Sequence, residues 1–141
     1  MLQAPLFLHV DDDEDDLVVF KEALANTEPG IELQQVQGIN DPREFIELVK
    51  QKVPCLIIMD LNMPGIGGKE LLPLLKNDPA THKIPVVAFT TSALPSDRDY
   101  CACFGVACLT KPLYFEQMVA SIKKMLHYCS CSKPGKIISD K

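Results

Sequence analysis

Two short apolar runs in this chain each end abruptly in aspartate. Leu6–Val10 reads LFLHV and empties into six consecutive acids, Asp11 to Asp16. Cys55–Met59 reads CLIIM and is followed at once by Asp60. An apolar run without alternation suits a strand buried on both faces, as in the middle of a parallel sheet. Crowded like charges repel one another, so acids placed at such strand ends call for a nearby cation or for chemistry that uses them.

The rest of the chain alternates strand with helix. After the first run, Asp15 to Asn26 places Leu17, Val18, Phe20, Ala23 and Leu24 largely on one face, with acids at the start, where the helix dipole favours them. Ile31–Gln37 reads as a weaker strand. Asp41, Pro42 and Glu44 then give an N-cap, a first-turn proline and a capping-box acid ahead of Phe45, Ile46, Leu48 and Val49. Cys55–Met59 is the third strand. Lys69–Asn77 is the third helix, with Pro73 expected to kink or shorten it. IPVVAFTT, from Ile84 to Thr91, is the fourth strand. Ser96 is the predicted cap of a helix ending at Gly105. Val106–Leu109 is a short fifth strand, and Phe115 to Leu126 is the clearest amphipathic helix. Five strand–helix units in a row predict a parallel sheet with helices on both faces.

At 141 residues the chain has room for one domain, read as residues 1–128 with a short tail over 129–141. Its 47% hydrophobic and 23% charged residues describe a globular protein, not a disordered one. The net charge of −5 and the lack of a basic stripe argue against direct nucleic-acid binding. No signal peptide is evident, and no apolar run reaches the roughly 18 residues that span a bilayer, so a cytoplasmic protein without membrane insertion is expected. The six cysteines, at positions 55, 101, 103, 108, 129 and 131, lack the spacing usual for zinc. They are read as reduced thiols, several of them small core residues.

Ligands of open parallel α/β sheets bind beyond the carboxyl ends of the strands. The polar residues expected there are Asp11 and Asp12 after the first strand, Asp60 after the third, Thr90 at the end of the fourth and Lys111 after the fifth. Clustered carboxylates suit a hard divalent cation, Mg2+ or Mn2+. One carboxylate can act as nucleophile toward a phosphoryl group, with the metal, Lys111 and the Thr90 hydroxyl balancing charge on the transferring oxygens.

HVDDDEDD, MDLNMPGIGG, VVAFTTS and LTKP, in this order and at these intervals, resemble the receiver domain of two-component response regulators. The resemblance runs from about Leu6 to Leu126 and implies a flavodoxin-like (βα)5 sandwich with strand order 2-1-3-4-5. It implies that Asp60 is the phospho-acceptor, and that Asp11, Asp12, Asp60 and the backbone carbonyl of Asn62 hold the metal. Thr90 is then the switch hydroxyl and Lys111 the phosphate-binding lysine, followed by a cis bond to Pro112. Asp13 borders the site, while Glu14, Asp15 and Asp16 are solvated acids at the start of the first helix. NDPATHKIPVVAFTTS is similar to the stretch found in single-domain receivers that partner phytochrome-type sensor kinases.

The resemblance implies a stand-alone phospho-acceptor, not a turnover enzyme. Its phosphoryl group comes from a sensor histidine kinase or a histidine phosphotransfer protein. It signals to a downstream protein through the face formed by the fourth helix, fifth strand and fifth helix, with a homodimer through that face as an option. Cys108 departs from the family, which commonly carries a switching aromatic three residues before the lysine. Gly67 stands where many members have another acid. Asn62 and Ser92, two past Asp60 and Thr90, occupy the positions that set phosphoryl lifetime, and neither extreme is expected of them. Asn62 also stands where aspartyl-phosphate hydrolases usually carry a second acid, which argues against that reading. The alternative that stays is a degenerate receiver binding partners without phosphorylation. His9 is expected to be structural.

Overall fold

The computed structural model describes residues 4–129. Strands and helices alternate along it as β1 (Leu6–Asp11), α1 (Glu14–Thr27), β2 (Glu32–Gln37), α2 (Pro42–Lys52), β3 (Leu56–Met59), α3 (Gly68–Asn77), β4 (Val86–Thr90), α4 (Pro95–Cys103), β5 (Ala107–Thr110) and α5 (Phe115–Leu126). All strand pairs are parallel, in the order β2-β1-β3-β4-β5, the flavodoxin-like arrangement. The order reverses between β1 and β3. That is where an open α/β sheet leaves a crevice at its carboxyl edge.

Period-two alternation divides the apolar runs between two cores. Leu8, Val10, Ile57, Met59 and Ala88 point to the side covered by Phe45 and Val49 of α2 and Leu71 and Leu75 of α3. Phe7, Leu56, Ile58, Val87 and Phe89 point to the other, against Phe20 and Leu24 of α1 and Met118, Ile122 and Met125 of α5. Each large side chain fully buried in these layers contributes about 2 kcal/mol. All four residues of β3 are buried, whereas the edge strand β2 keeps most of its residues half-buried, which explains its weaker apolar pattern.

Several local expectations are corrected. Ser96 does not cap α4; the helix starts at Pro95 after Leu94, and the Ser92 hydroxyl accepts the Leu94 N–H at 3.2 Å. The Lys111–Pro112 bond is trans, as is every peptide bond among the described residues; trans is the lower-energy isomer. The reduced-thiol reading fails for Cys55, which forms a disulfide with Cys129 across 74 positions of sequence. Both residues are fully buried where α5 ends beside the start of β3, a juxtaposition that spacing alone does not reveal. Cys101, Cys103 and Cys108 are free thiols. Cys131 and the rest of the expected tail lie outside the described residues. No helix among the described residues is long and apolar enough to cross a membrane.

Pro73 leaves α3 unbroken from Gly68 to Asn77. A proline has no N–H to give to the carbonyl four residues back, here that of Lys69. The Tyr100 hydroxyl of α4 donates to that carbonyl at 2.5 Å, replacing the missing donor and tying α4 to α3. Tyr100→Phe should therefore lose about 1 kcal/mol of unfolding free energy in denaturant titration. In a Pro73→Ala background, where the helix supplies its own N–H, the same substitution should cost clearly less. An equal cost in both backgrounds would show that the hydroxyl does not stand in for the lost donor.

Candidate functional site

The reversal of strand order sets the ends of β1 and β3 side by side. Val10 is in register with Met59, so Asp11 and Asp60 emerge as neighbours, and the Asp60 N–H donates to the Val10 carbonyl at 3.3 Å. On the other side Thr90 is in register with Thr110, and the Lys111 N–H donates to the Thr90 carbonyl at 2.8 Å. These registers converge residues that are far apart in sequence. The loop after β3 is fixed as well: the Gly68 N–H donates to the Asp60 carbonyl at 2.9 Å, and a Cβ on Gly68 would stand 2.8 Å from that oxygen. At Gly67 a Cβ would lie 2.6 Å from the Leu61 carbonyl oxygen, so the glycine found in place of the family's acid fits a close backbone approach.

Lys111 is the electrostatic centre. Its Nζ lies 2.8 Å from Asp60 Oδ2, 2.7 Å from Asp11 Oδ2 and 2.9 Å from Asp16 Oδ2. Burial works to lower the lysine pKa, but the contacts with Asp11, Asp60 and Asp16 outweigh it and raise the value. Asp11 is pushed above the usual carboxylate range, chiefly by burial and despite Lys111. Three carboxylates share one ammonium, so the cluster keeps an excess of negative charge.

That excess suits a divalent cation. Ligand oxygens of Asp11, Asp12 and Asp60 all lie within 4.8 Å of one another. Asp11 Oδ2 is buried and makes no hydrogen bond among the described residues; its approach to Lys111 is an ion pair without hydrogen-bond geometry. An all-oxygen donor set that keeps more negative charge than its one ammonium offsets matches a hard ion such as Mg2+ or Mn2+. Asp60 Oδ1 accepts the Asn62 N–H at 3.1 Å, which turns the Asp60 side chain at the head of its loop. Thr90 is buried, with its Oγ1 accepting the Ser92 N–H at 3.2 Å.

The family model described as the response regulator receiver domain matches residues 7–123. The chain belongs to that family. The polar-differentiation response regulator DivK of Brucella ovis is 32% identical over 84 residues, covering 59% of this chain and 68% of DivK. Among solved structures, the phosphorylated cyanobacterial phytochrome response regulator RcpA is 28% identical with a TM-score of 0.73, over 90% of this chain and 94% of RcpA. The Mn2+-bound form of response regulator Rcp1 is 26% identical with a TM-score of 0.71, over 88% of this chain and 93% of Rcp1.

The acids of this receiver's opening run divide differently from expectation. Asp13 is the N-cap of α1, its carboxylate accepting the N–H groups of Asp15 and Asp16. Asp16, expected to be solvated, is the one that reaches Lys111, because it lies in the first turn of α1 above the rim. Asp97 was also missed. It is buried, pairs through Oδ1 with Lys69 Nζ at 2.7 Å, and accepts at Oδ2 from Ser92 Oγ at 2.5 Å and Asn62 Nδ2 at 3.3 Å. An acid in the first turn of a helix reads as a solvated dipole partner, and nothing local marks it as buried.

His9 is buried beneath the cluster. The Gln35 amide lies 3.2 Å from its Nδ1, and the Phe20 ring centroid is 4.2 Å from its own. Burial, followed by the charge of Lys111, lowers its pKa to about 3. An unfolded chain takes up this proton near pH 6.5, the folded one only near 3, so between those values the unfolded state binds more protons and stability falls as pH falls. Lowering the pH from 7 to 5 should cost wild type about 2 kcal/mol more than His9→Gln in chemical denaturation. Equal pH slopes for the two proteins would show that His9 takes up its proton in the folded state.

Proposed function

We propose that this receiver accepts a phosphoryl group on Asp60 from the phosphohistidine of a sensor histidine kinase or histidine phosphotransfer protein. The observation that carries the reading is the Asp60 carboxylate beside Lys111 Nζ, 2.8 Å away, with Asp11 and Asp12 close enough to share a cation. A carboxylate oxygen of Asp60 attacks phosphorus, the N–P bond of the donor breaks, and the imidazole leaves with the bonding electrons and takes a proton. Lys111 balances the charge gathering on the phosphoryl oxygens. Asp11, Asp12, Asp60 and the Asn62 carbonyl would hold Mg2+ or Mn2+, which supplies further charge neutralisation when bound. The Mn2+-bound form of Rcp1 supports that choice of ion, and the phosphorylated form of RcpA supports the acceptor chemistry.

The aspartyl phosphate is later cleaved by water, which returns the carboxylate and inorganic phosphate. The domain is thus a phospho-acceptor that assists its own turnover and not an enzyme with a separate substrate. The Thr90 hydroxyl turns toward the new dianion, and the loops after β4 and β5 follow, altering the face made by α4, β5 and α5. A downstream protein or a second copy of the chain reads that face. The likeness to RcpA, a phytochrome response regulator, supports a phytochrome-type kinase as donor.

Incubation with a small phosphodonor and Mg2+ should add one phosphoryl group to the intact mass. The gain should be lost on Asp60→Asn and fall sharply without the metal. No gain in wild type would overturn the reading in favour of a binding module that works unphosphorylated, for which Cys108 at the aromatic position is the one supporting feature.

A further inference from the structure

The pocket around Asp60 is joined to α4 by side chains that the reaction itself does not need. Asn62 gives its N–H to Asp60 Oδ1 and its side-chain amide to Asp97 Oδ2. Ser92 gives its N–H to Thr90 Oγ1 and its hydroxyl to the same Asp97 oxygen. Two routes, one from the acceptor and one from the switch hydroxyl, therefore meet on a single carboxylate. Asp97 is only 2% exposed and sits in the first turn of α4. Burying a carboxylate is costly unless it is paired and hydrogen-bonded. Lys69 and Ser92 provide those partners, with Asn62, and hold its pKa below the usual carboxylate range.

We propose that Asp97 is a positioning residue for phosphoryl chemistry at Asp60, holding Asn62 and Ser92 together beside the acceptor and passing their displacement into α4. The proposal rests on Asp60 being the phospho-acceptor. Asn62 and Ser92 belong to the two loops that flank the pocket on the α4 side, and Asp97 clamps those loops to each other. When the Thr90 hydroxyl turns toward a phosphoryl group, it moves or releases the Ser92 N–H. The Ser92 hydroxyl also accepts the Leu94 N–H, at 3.2 Å, so its movement reaches the start of α4 directly. This route needs no aromatic side chain on β5. It gives a domain with Cys108 at that position a way to couple its acceptor to its outer face.

A solely structural Asp97 would stabilise the junction of α3 and α4 and do nothing else. The test therefore measures the half-life of the phosphoryl group on the phosphorylated fraction, by intact mass after the donor is removed. Asp97→Ala parts the two loops and opens the acceptor to water, so the half-life should shorten roughly 3- to 10-fold, the span expected for hydrogen bonds of ordinary strength. Asn62→Ala should shorten it similarly, and the double variant should be no faster than the quicker single. Lys69→Met, which removes the ion pair but leaves the Ser92 and Asn62 contacts, should lower stability with little change in half-life. Amide hydrogen exchange across residues 95–103 should change on phosphorylation in wild type and not in Asp97→Ala.

If Asp97→Ala does not fold, Asp97→Asn, which keeps the shape of the side chain but loses its charge and one acceptor oxygen, carries the same comparison. A lowered unfolding midpoint with wild-type half-life and wild-type exchange in α4 would overturn the proposal. Failure of wild type to take up a phosphoryl group would instead overturn the reading of Asp60, and this proposal with it.

Discussion

The Nζ of Lys111 lies within 2.9 Å of carboxylate oxygens from Asp11, Asp16 and Asp60, and the arrangement of the rim depends on that contact. Like charges from β1, α1 and β3 are brought together by strand register, and no helix dipole or solvent shell would hold them there at low cost. One ammonium offsets part of the repulsion and leaves the rest for a cation to neutralise. The crowded acid run is thus divided among separate tasks. Asp11 and Asp12 set their oxygens beside those of Asp60, Asp13 caps α1, and Asp16 reaches back to the lysine.

A second set of contacts ties this rim to the layer of α3 and α4. Lys69 serves twice: its carbonyl, freed by Pro73, takes the Tyr100 hydroxyl, and its ammonium pairs with Asp97. Arg98 extends the connection to β5, donating to the Cys108 carbonyl at 3.1 Å and to Thr110 Oγ1 at 2.8 Å. α4 is therefore fastened to its neighbours by polar contacts as well as by the buried Cys101 and the packed Tyr100 ring. Such contacts depend strongly on angle and distance, so a small displacement near Asp60 can exchange them more readily than it can repack an apolar interface.

Much of the architecture was legible because it rests on local pattern. Continuous apolar runs identified β1 and β3, and the amphipathic pattern from Phe115 to Leu126 identified α5. The four motifs pointed to Asp11, Asp12, Asp60, Thr90 and Lys111, since each stands at or just past a strand end and strand ends in this topology meet on one edge. The misreadings share a different cause. Asp16 and Asp97 both look like ordinary first-turn helix acids, Ser96 looks like a better cap than Leu94, and Cys55 and Cys129 carry no mark of pairing. Apart from the cap, each is decided by a residue distant in sequence: Lys111 for Asp16, Lys69 and Asn62 for Asp97, and the end of α5 for Cys55.

By itself, then, the sequence determined the five strand–helix units, the parallel sheet and the set of polar residues at its carboxyl edge. Side-chain period and strand-end position are local properties, and burial enforces them wherever the chain folds. Tertiary structure alone decided which acid meets the lysine, which carboxylate is buried between α3 and α4, and which hydroxyl replaces the donor that Pro73 lacks. Those outcomes depend on distances of a few ångströms between elements, and such distances are set only when both cores have packed.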